Sequence, residues 1–229
     1  GSNSTGPRMI SNAPTPTLSC GPIGLRSIRL RDGNAWRTVR NRNRAWLTPW
    51  DATSPMGSVD VPPTFAAMAR SLRAEARAGR TLPWVITYQD RLIGQLTVGG
   101  IAYGSLRSAH AGYWVDQQFA GHGIAPTAVA LGADYCFFGL GLHRVEINLR
   151  PENAASRRVV EKLGFRYEGI RERYLHIDGA WRDHLTFAIT SEEVPGGLLQ
   201  RFLATKDSGT TASHTSQSMS PLSNLADNS

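Results

Sequence analysis

The chain has 229 residues, with 25 Lys+Arg against 18 Asp+Glu, 41% hydrophobic residues and two cysteines. This composition describes a soluble globular chain with one domain as the leading expectation. Cys20 and Cys136 are far apart and form no Cys-x-x-Cys pair, which argues against a redox dithiol or thiolate metal site and fits a reducing cytoplasm. The longest apolar run, Tyr135 to Leu142, falls well short of the roughly 20 residues a bilayer span needs, so no membrane partner is expected.

Residues 1–20 read as a tag remnant, Gly1 to Arg8 before Met9, followed by an extended leader. Residues 206–229, rich in Ser and Thr and poor in large apolar side chains, predict a disordered tail. One domain is left at 21–205. Arg8 and the tail cancel in charge, so the formal net charge of +7 lies within residues 9–205. It favours an acidic partner such as nucleic acid, a phosphorylated cofactor or the ribosome surface; a solvated basic face on an ordinary enzyme is the alternative.

In chain order, the first strand is expected from Leu25 to Arg31, then a helix capped by Asp32 or Asn34 that runs toward Trp46. Phe65, Met68, Ala69 and Leu72 recur at helical spacing and predict a second helix over 63–77, ended by Gly79. A hairpin follows, with strands at 83–88 and 92–98 about a turn at Gln89-Asp90. A strand over 109–115 leads through Ala120-Gly121-His122-Gly123 into a long apolar helix over 124–140. Then come a strand at 144–149, an amphipathic helix at 153–163, and strands near 165–177 and 181–189 joined at Asp178-Gly179. This order lacks the strict βαβα alternation of a doubly wound sheet and predicts an α+β fold with a mixed sheet.

Gly121-His122-Gly123-Ile124-Ala125, between a strand and a helix, has the form of an anion cradle. Glycines let the backbone approach closely, and the N–H groups and positive dipole end of the following helix can hold a pyrophosphate. The alternative is a turn that uses glycine only for its dihedral angles. No Gly-Lys-Ser/Thr follows, and Pro126 stands where a dinucleotide fingerprint needs its third glycine, so neither a P-loop nor a Rossmann motif fits.

Gly112-Tyr113-Trp114-Val115, Gly121-x-Gly123-x-Ala125, Asn153-x-x-Ser156 and Leu163-Gly164-Phe165 together resemble the acetyl-coenzyme A core of GCN5-related N-acetyltransferases. His143-Arg144-Val145, Glu168-Gly169 and the run Tyr174 to His184 are similar to the RimJ/RimL branch, which acetylates N-terminal amines of ribosomal proteins. The resemblance spans 25–190. It implies a mixed, largely antiparallel central sheet flanked by helices and splayed at the acetyl-coenzyme A site. It further implies coenzyme contacts from Trp114, Val115, Gly121, His122, Gly123, Ile124, Ala125 and Asn153. The family writes Gln or Arg directly before the Gly-x-Gly; this chain has Ala120, which removes a side-chain contact and leaves the backbone cradle.

Acetyl transfer from a thioester to an amine needs a neutral amine, a polarised carbonyl and a proton donor for the thiolate. The resemblance places Ser156 as that donor; a helix-surface serine bonding its own backbone is the alternative. Asn153 is a pantetheine contact, a helix N-cap, or both. Asn148 stands where related enzymes have a glutamate that binds or activates water, and an amide cannot take a proton. Glu146, on the same strand face, or a water chain is then the base. Trp181 and Asp183 are expected to shape the acceptor end, or else to belong to a hairpin turn. His122, His176 and His184 show no ligand spacing, so no metal is expected. The expected reaction is acetylation of the N-terminal α-amine of a protein, most plausibly ribosomal, with possible contact to ribosomal RNA. A small amine such as a polyamine or aminoglycoside, which needs an acidic pocket, and a non-catalytic RNA-binding module are the alternatives.

Overall fold

The computed structural model describes residues 14–55 and 64–215, with side chains through residue 208. The expected tag remnant, Gly1 to Arg8, lies outside the described residues. Eight strands form one sheet: β1 (Leu18–Cys20), β2 (Ile23–Ser27), β3 (Leu82–Tyr88), β4 (Arg91–Ala102), β5 (Ser108–Val115), β6 (Arg144–Leu149), β7 (Arg166–Ile177) and β8 (Ala180–Thr190). Their order is β1-β2-β3-β4-β5-β6-β8-β7. Every pairing is antiparallel except β5 with β6, which needs a crossover and takes it through a helix. The mixed, largely antiparallel sheet is the one expected.

The helices are α1 (Gly33–Arg42), α2 (Arg44–Leu47), α3 (Phe65–Arg77), α4 (Ile124–Asp134), α5 (Ala154–Leu163) and α6 (Leu198–Thr215). On one face of the sheet, Val39, Phe65 and Ala69 of α1 and α3 pack on Ile28, Val85 and Leu92. On the other, the larger core joins Trp84, Leu96, Ile147 and Phe187 of the strands to α4, Val160 and Leu163 of α5, and Leu198 and Phe202 of α6. α4 is apolar on nearly every side because sheet, α5 and α6 enclose it. It can sit this close because Gly132 faces the sheet: a Cβ there would lie 2.9 Å from a Leu96 methyl.

Several expectations are corrected. The leader 1–20 contains β1, since Leu18 and Cys20 pack against the core and pair back on β2. The first long strand ends at Ser27, because the Asp32 carboxylate takes the Arg29 N–H (2.8 Å) and the Arg26 guanidinium (2.8 Å) and folds the chain over. The apolar helix is α-helical only to Asp134, and a π-helical turn, Tyr135–Gly139, follows. Of the tail expected to be disordered over 206–229, residues 206–215 continue α6 and the remainder lies outside the described residues. Asp134 explains that helix: its carboxylate accepts the N–H groups of Leu198 (2.6 Å) and Leu199 (3.0 Å), while Leu198 and Phe202 anchor the first turns in the core. A helix nucleated in this way extends more readily than its composition suggests.

Candidate active site

β5 and β6 pair over three residues only, Ser108–His110 with Arg144–Glu146, and then part. Beyond His110, β5 keeps its bonds to β4 through Gly94↔Val115 and leaves its other edge open. The gap opens into a cavity of about 610 Å³. Gly112 to Val115 form its floor, Asn153 and Ser156 of α5 one wall, and Gly121, Gly123, Ile124 and Ala125 one end. Trp36, Trp46, Trp50 and Trp114 stand at the other end.

At the first end, Gly121 (φ +79°) and Gly123 (φ +75°) hold left-handed backbone, which glycine adopts without the penalty a Cβ brings. Gly123 occupies the N-cap position of α4, and no side chain caps that helix. The first-turn N–H groups of Ile124 and Ala125 therefore face the cavity as donors, at the positive end of the helix.

In the middle, the Tyr113 and Ser156 hydroxyls lie 2.8 Å apart. Burial pushes the Tyr113 phenol above its ordinary range, and the bond to Ser156 offsets only part of that. Tyr113 thus stays protonated at neutral pH and can donate to Ser156 Oγ, leaving the serine proton directed elsewhere. Asn153 Oδ1 accepts the Ser156 N–H at 3.0 Å, so Asn153 is the N-cap of α5 and fixes the helix turn that carries Ser156.

At the far end, Gln95 Oε1 accepts from both Trp36 Nε1 (2.9 Å) and Trp114 Nε1 (3.4 Å). The Arg40 guanidinium lies over both rings, 5.5 and 5.1 Å from their centroids, and pairs with Asp51. Among the described residues, Asp51 is the sole carboxylate lining the cavity, against Arg40, Arg158 and Lys162.

A family model for the acetyltransferase (GNAT) domain matches residues 23–166. The chain belongs to this acetyltransferase family. The structure of Mycobacterium smegmatis RimJ in complex with CoA-disulfide is 45% identical, with a TM-score of 0.75 over 80% of this chain and 89% of that one. The [ribosomal protein uS5]-alanine N-acetyltransferase of Escherichia coli (strain K12) is 28% identical over 191 residues, 81% of this chain and 97% of that protein. "Probable N-acetyltransferase YjcK" of Bacillus subtilis (strain 168) is 43% identical over 104 residues, which make up 45% of this chain and 58% of that protein.

As a GNAT protein, the chain is an acetyl-coenzyme A-dependent N-acetyltransferase, and its cavity fits that cosubstrate. The uncapped α4 N-terminus and the two left-handed glycines suit a diphosphate. The open edge of β5 suits an amide-bearing arm, which can hydrogen bond there as a strand would.

Of the expected site residues, Trp114, Val115, Gly121, Gly123, Ile124, Ala125, Asn153 and Ser156 all line the cavity. His122 does not: its side chain is exposed, and only its backbone belongs to the turn. Glu146 and Asn148 share the sheet face of Trp114 but lie outside the lining. Glu146 is held by Arg144 (3.1 Å), Asn148 (3.2 Å) and Arg171 (3.3 Å). Burial pushes its carboxyl up, yet the bonds from Asn148 and Arg144 and the charge of Arg171 outweigh this and hold it below the usual range. That makes it a weak base. Asn148 is locked between Glu146 and the Thr186 hydroxyl (2.7 Å).

Trp181 and Asp183 are also outside the lining, although the turn of their hairpin bonds to the lining residues Asp51 and Ala52. Trp181 is 55% exposed on the edge hairpin and packs on His176, while Asp183 accepts the Arg173 N–H (2.8 Å) and pins a bulge in β7. Trp36, Trp46, Trp50, Gln95 and Asp51 line the end of the cavity away from the glycine turn. Among the described residues no His/Cys/Asp/Glu cluster can hold a metal, and no helix is long and apolar enough to cross a membrane.

Proposed function

We propose that the chain acetylates the N-terminal α-amine of a ribosomal protein in the cytoplasm. The observation that supports this reading is the chemistry of the tryptophan end of the cavity: among the described residues it is walled by Trp36, Trp46 and Trp50 and holds one carboxylate, already paired with arginine. A polyamine or aminoglycoside site needs surplus negative charge, whereas a peptide amine needs an apolar channel and little else. The names of the Escherichia coli and Mycobacterium smegmatis relatives point the same way. The net charge of +7 is suited to meeting a substrate bound to, or near, ribosomal RNA.

The coenzyme supplies an acetyl group activated as a thioester. The turn at 121–125 anchors its diphosphate, and the open β5 edge aligns its arm past Asn153. Ser156 Oγ would then deliver a proton to the departing sulfur and regain one from solvent, while the protonated Tyr113 phenol, 2.8 Å away, holds the serine in place. The amine loses its proton to water. An α-amine, with a pKa near about 8 against about 10.4 for lysine, needs little help in doing so.

The test is mass spectrometry of peptides with free N-terminal Ser or Ala after incubation with acetyl-coenzyme A, alongside thiol release. Transfer to the α-amine, abolished by blocking it while lysines stay free, is expected. Label only on lysines or on a polyamine overturns the substrate; no thiol release from any acceptor, with salt-sensitive RNA binding, favours the non-catalytic module.

A further inference from the structure

We propose that Lys206, near the middle of α6, is a coenzyme-binding residue whose ammonium pairs with the diphosphate held at the Gly121–Ala125 turn. This rests on the acetyl-coenzyme A reading of the cavity. The turn offers backbone donors and no lysine or arginine of its own: Ala120 precedes it, Gly121 and Gly123 have no side chain, and His122 is exposed and, like Lys206, outside the cavity lining. A diphosphate carries about two negative charges, and a helix N-terminus balances only about half of one. Lys206 Nζ lies 3.0 Å from where a Cβ on Gly123 would stand, directly against the turn.

Its position is built rather than incidental. Leu198, Phe202 and Lys206 recur every four residues and share one face of α6. The first two are buried, and Nζ lies 5.6 Å from the Phe202 ring centroid. Asp134, at the C-terminal end of α4, caps α6, so the helix that presents the glycine turn also holds the helix that presents the lysine. Arg201 adds a bond to the Leu163 carbonyl at the end of α5 (2.5 Å). α6 lies beyond the 23–166 segment matched by the family model, so the contact belongs to this chain's C-terminal region.

The test is calorimetric titration of coenzyme A and of 3′-dephospho-coenzyme A into the full chain and its Lys206→Met and Lys206→Arg variants. Methionine keeps the stem on Phe202 and removes the charge; arginine keeps the charge. Lys206→Met is expected to weaken both ligands by the same factor, about five- to twentyfold, as for a lost charge-assisted hydrogen bond. Lys206→Arg should stay near wild type, and the KM of Lys206→Met for acetyl-coenzyme A should rise by a similar factor to its loss of affinity. Unchanged affinity in Lys206→Met, equal losses in both variants, or a loss confined to the 3′-phosphorylated ligand would each overturn the assignment. Failure of the wild-type chain to bind either ligand would instead overturn the coenzyme reading itself.

Discussion

Tyr113 and Ser156, on β5 and α5, meet hydroxyl to hydroxyl at 2.8 Å across the cleft between β5 and β6. Because burial holds the phenol protonated, it can donate to Ser156 and leave the serine proton directed into the cavity, as the proposed general acid requires. Ser156→Ala should lower turnover by about 10²-fold or more, the usual range for a lost general acid, with little change in coenzyme affinity. Tyr113→Phe should cost about tenfold, and the double variant should be no slower than Ser156→Ala, since the second residue acts through the first. Thiol-release kinetics check this; losses that multiply would show two independent roles.

Gly123→Val should abolish measurable coenzyme binding. A β-branched residue at φ +75° is strained by about 1–2 kcal/mol, and its Cβ also meets Lys206 Nζ at 3.0 Å. Gly121→Ala meets only the first of these penalties, since nothing lies within 4 Å of its Cβ position, and should bind measurably though more weakly. Calorimetry of the two variants tests the order.

Glu146→Gln should leave the alkaline-rising limb of the pH–rate profile in place and lower stability instead. Its carboxyl is held below the usual range in the folded chain, so the stability it contributes is present above the unfolded value of about 4.3 and lost as pH falls. Melting temperatures should differ between wild type and variant at pH 7 and converge toward pH 3. A flattened alkaline limb would restore Glu146 as the base.

Gln95→Leu should leave the Trp36 and Trp114 N–H groups without their acceptor and loosen the acceptor end. The KM for the peptide should rise about five- to tenfold while coenzyme affinity holds. Parallel losses in both would place Gln95 in support of the whole cleft.

Asp116→Ala should destabilise the chain by about 3–5 kcal/mol, because removal of a buried carboxylate strands the groups around it. Asp116 is fully buried and bound to Arg42, Asn43 Nδ2 (3.0 Å) and the Gln118 N–H (3.2 Å), tying α1 to the end of β5 just before the glycine turn. Urea denaturation at pH 7 measures the loss.

The coenzyme half of the site was legible because its determinants are local. Turn glycines, an N-cap asparagine and a serine three residues on can be read from neighbours in sequence. The acceptor half was not, because it is assembled from Trp36, Trp46, Trp50 and Gln95, whose convergence depends on which sheet face α1 and α2 cover. Tyr113 lies within the Gly112–Val115 motif, but strand alternation marks it only as core, and no local pattern signals its bond to Ser156, 43 residues on. Glu146 looked available because its partners Arg144, Asn148 and Arg171 come from two strands and show no contiguous pattern. Trp181 and Asp183 sit in a recognisable hairpin, but it is the hairpin's turn, through Ile177 and Asp178, that bonds to the cavity-lining Ala52 and Asp51, while these two side chains contact His176 and the Arg173 N–H.

The sheet order also bears on how the chain acquires its cleft during synthesis. β6 has three residues paired with β5 but six paired with β8, and α5 and β7 are translated before β8 arrives. Until then Val145, Ile147 and Leu149 belong to a strand with one edge open and a core lacking Leu185, Phe187 and Ile189. Such an edge pairs readily with other chains. C-terminal truncations inside β8 will therefore register first as insolubility, and only a chain that has left the ribosome tunnel past Thr190 can present a finished catalytic wall.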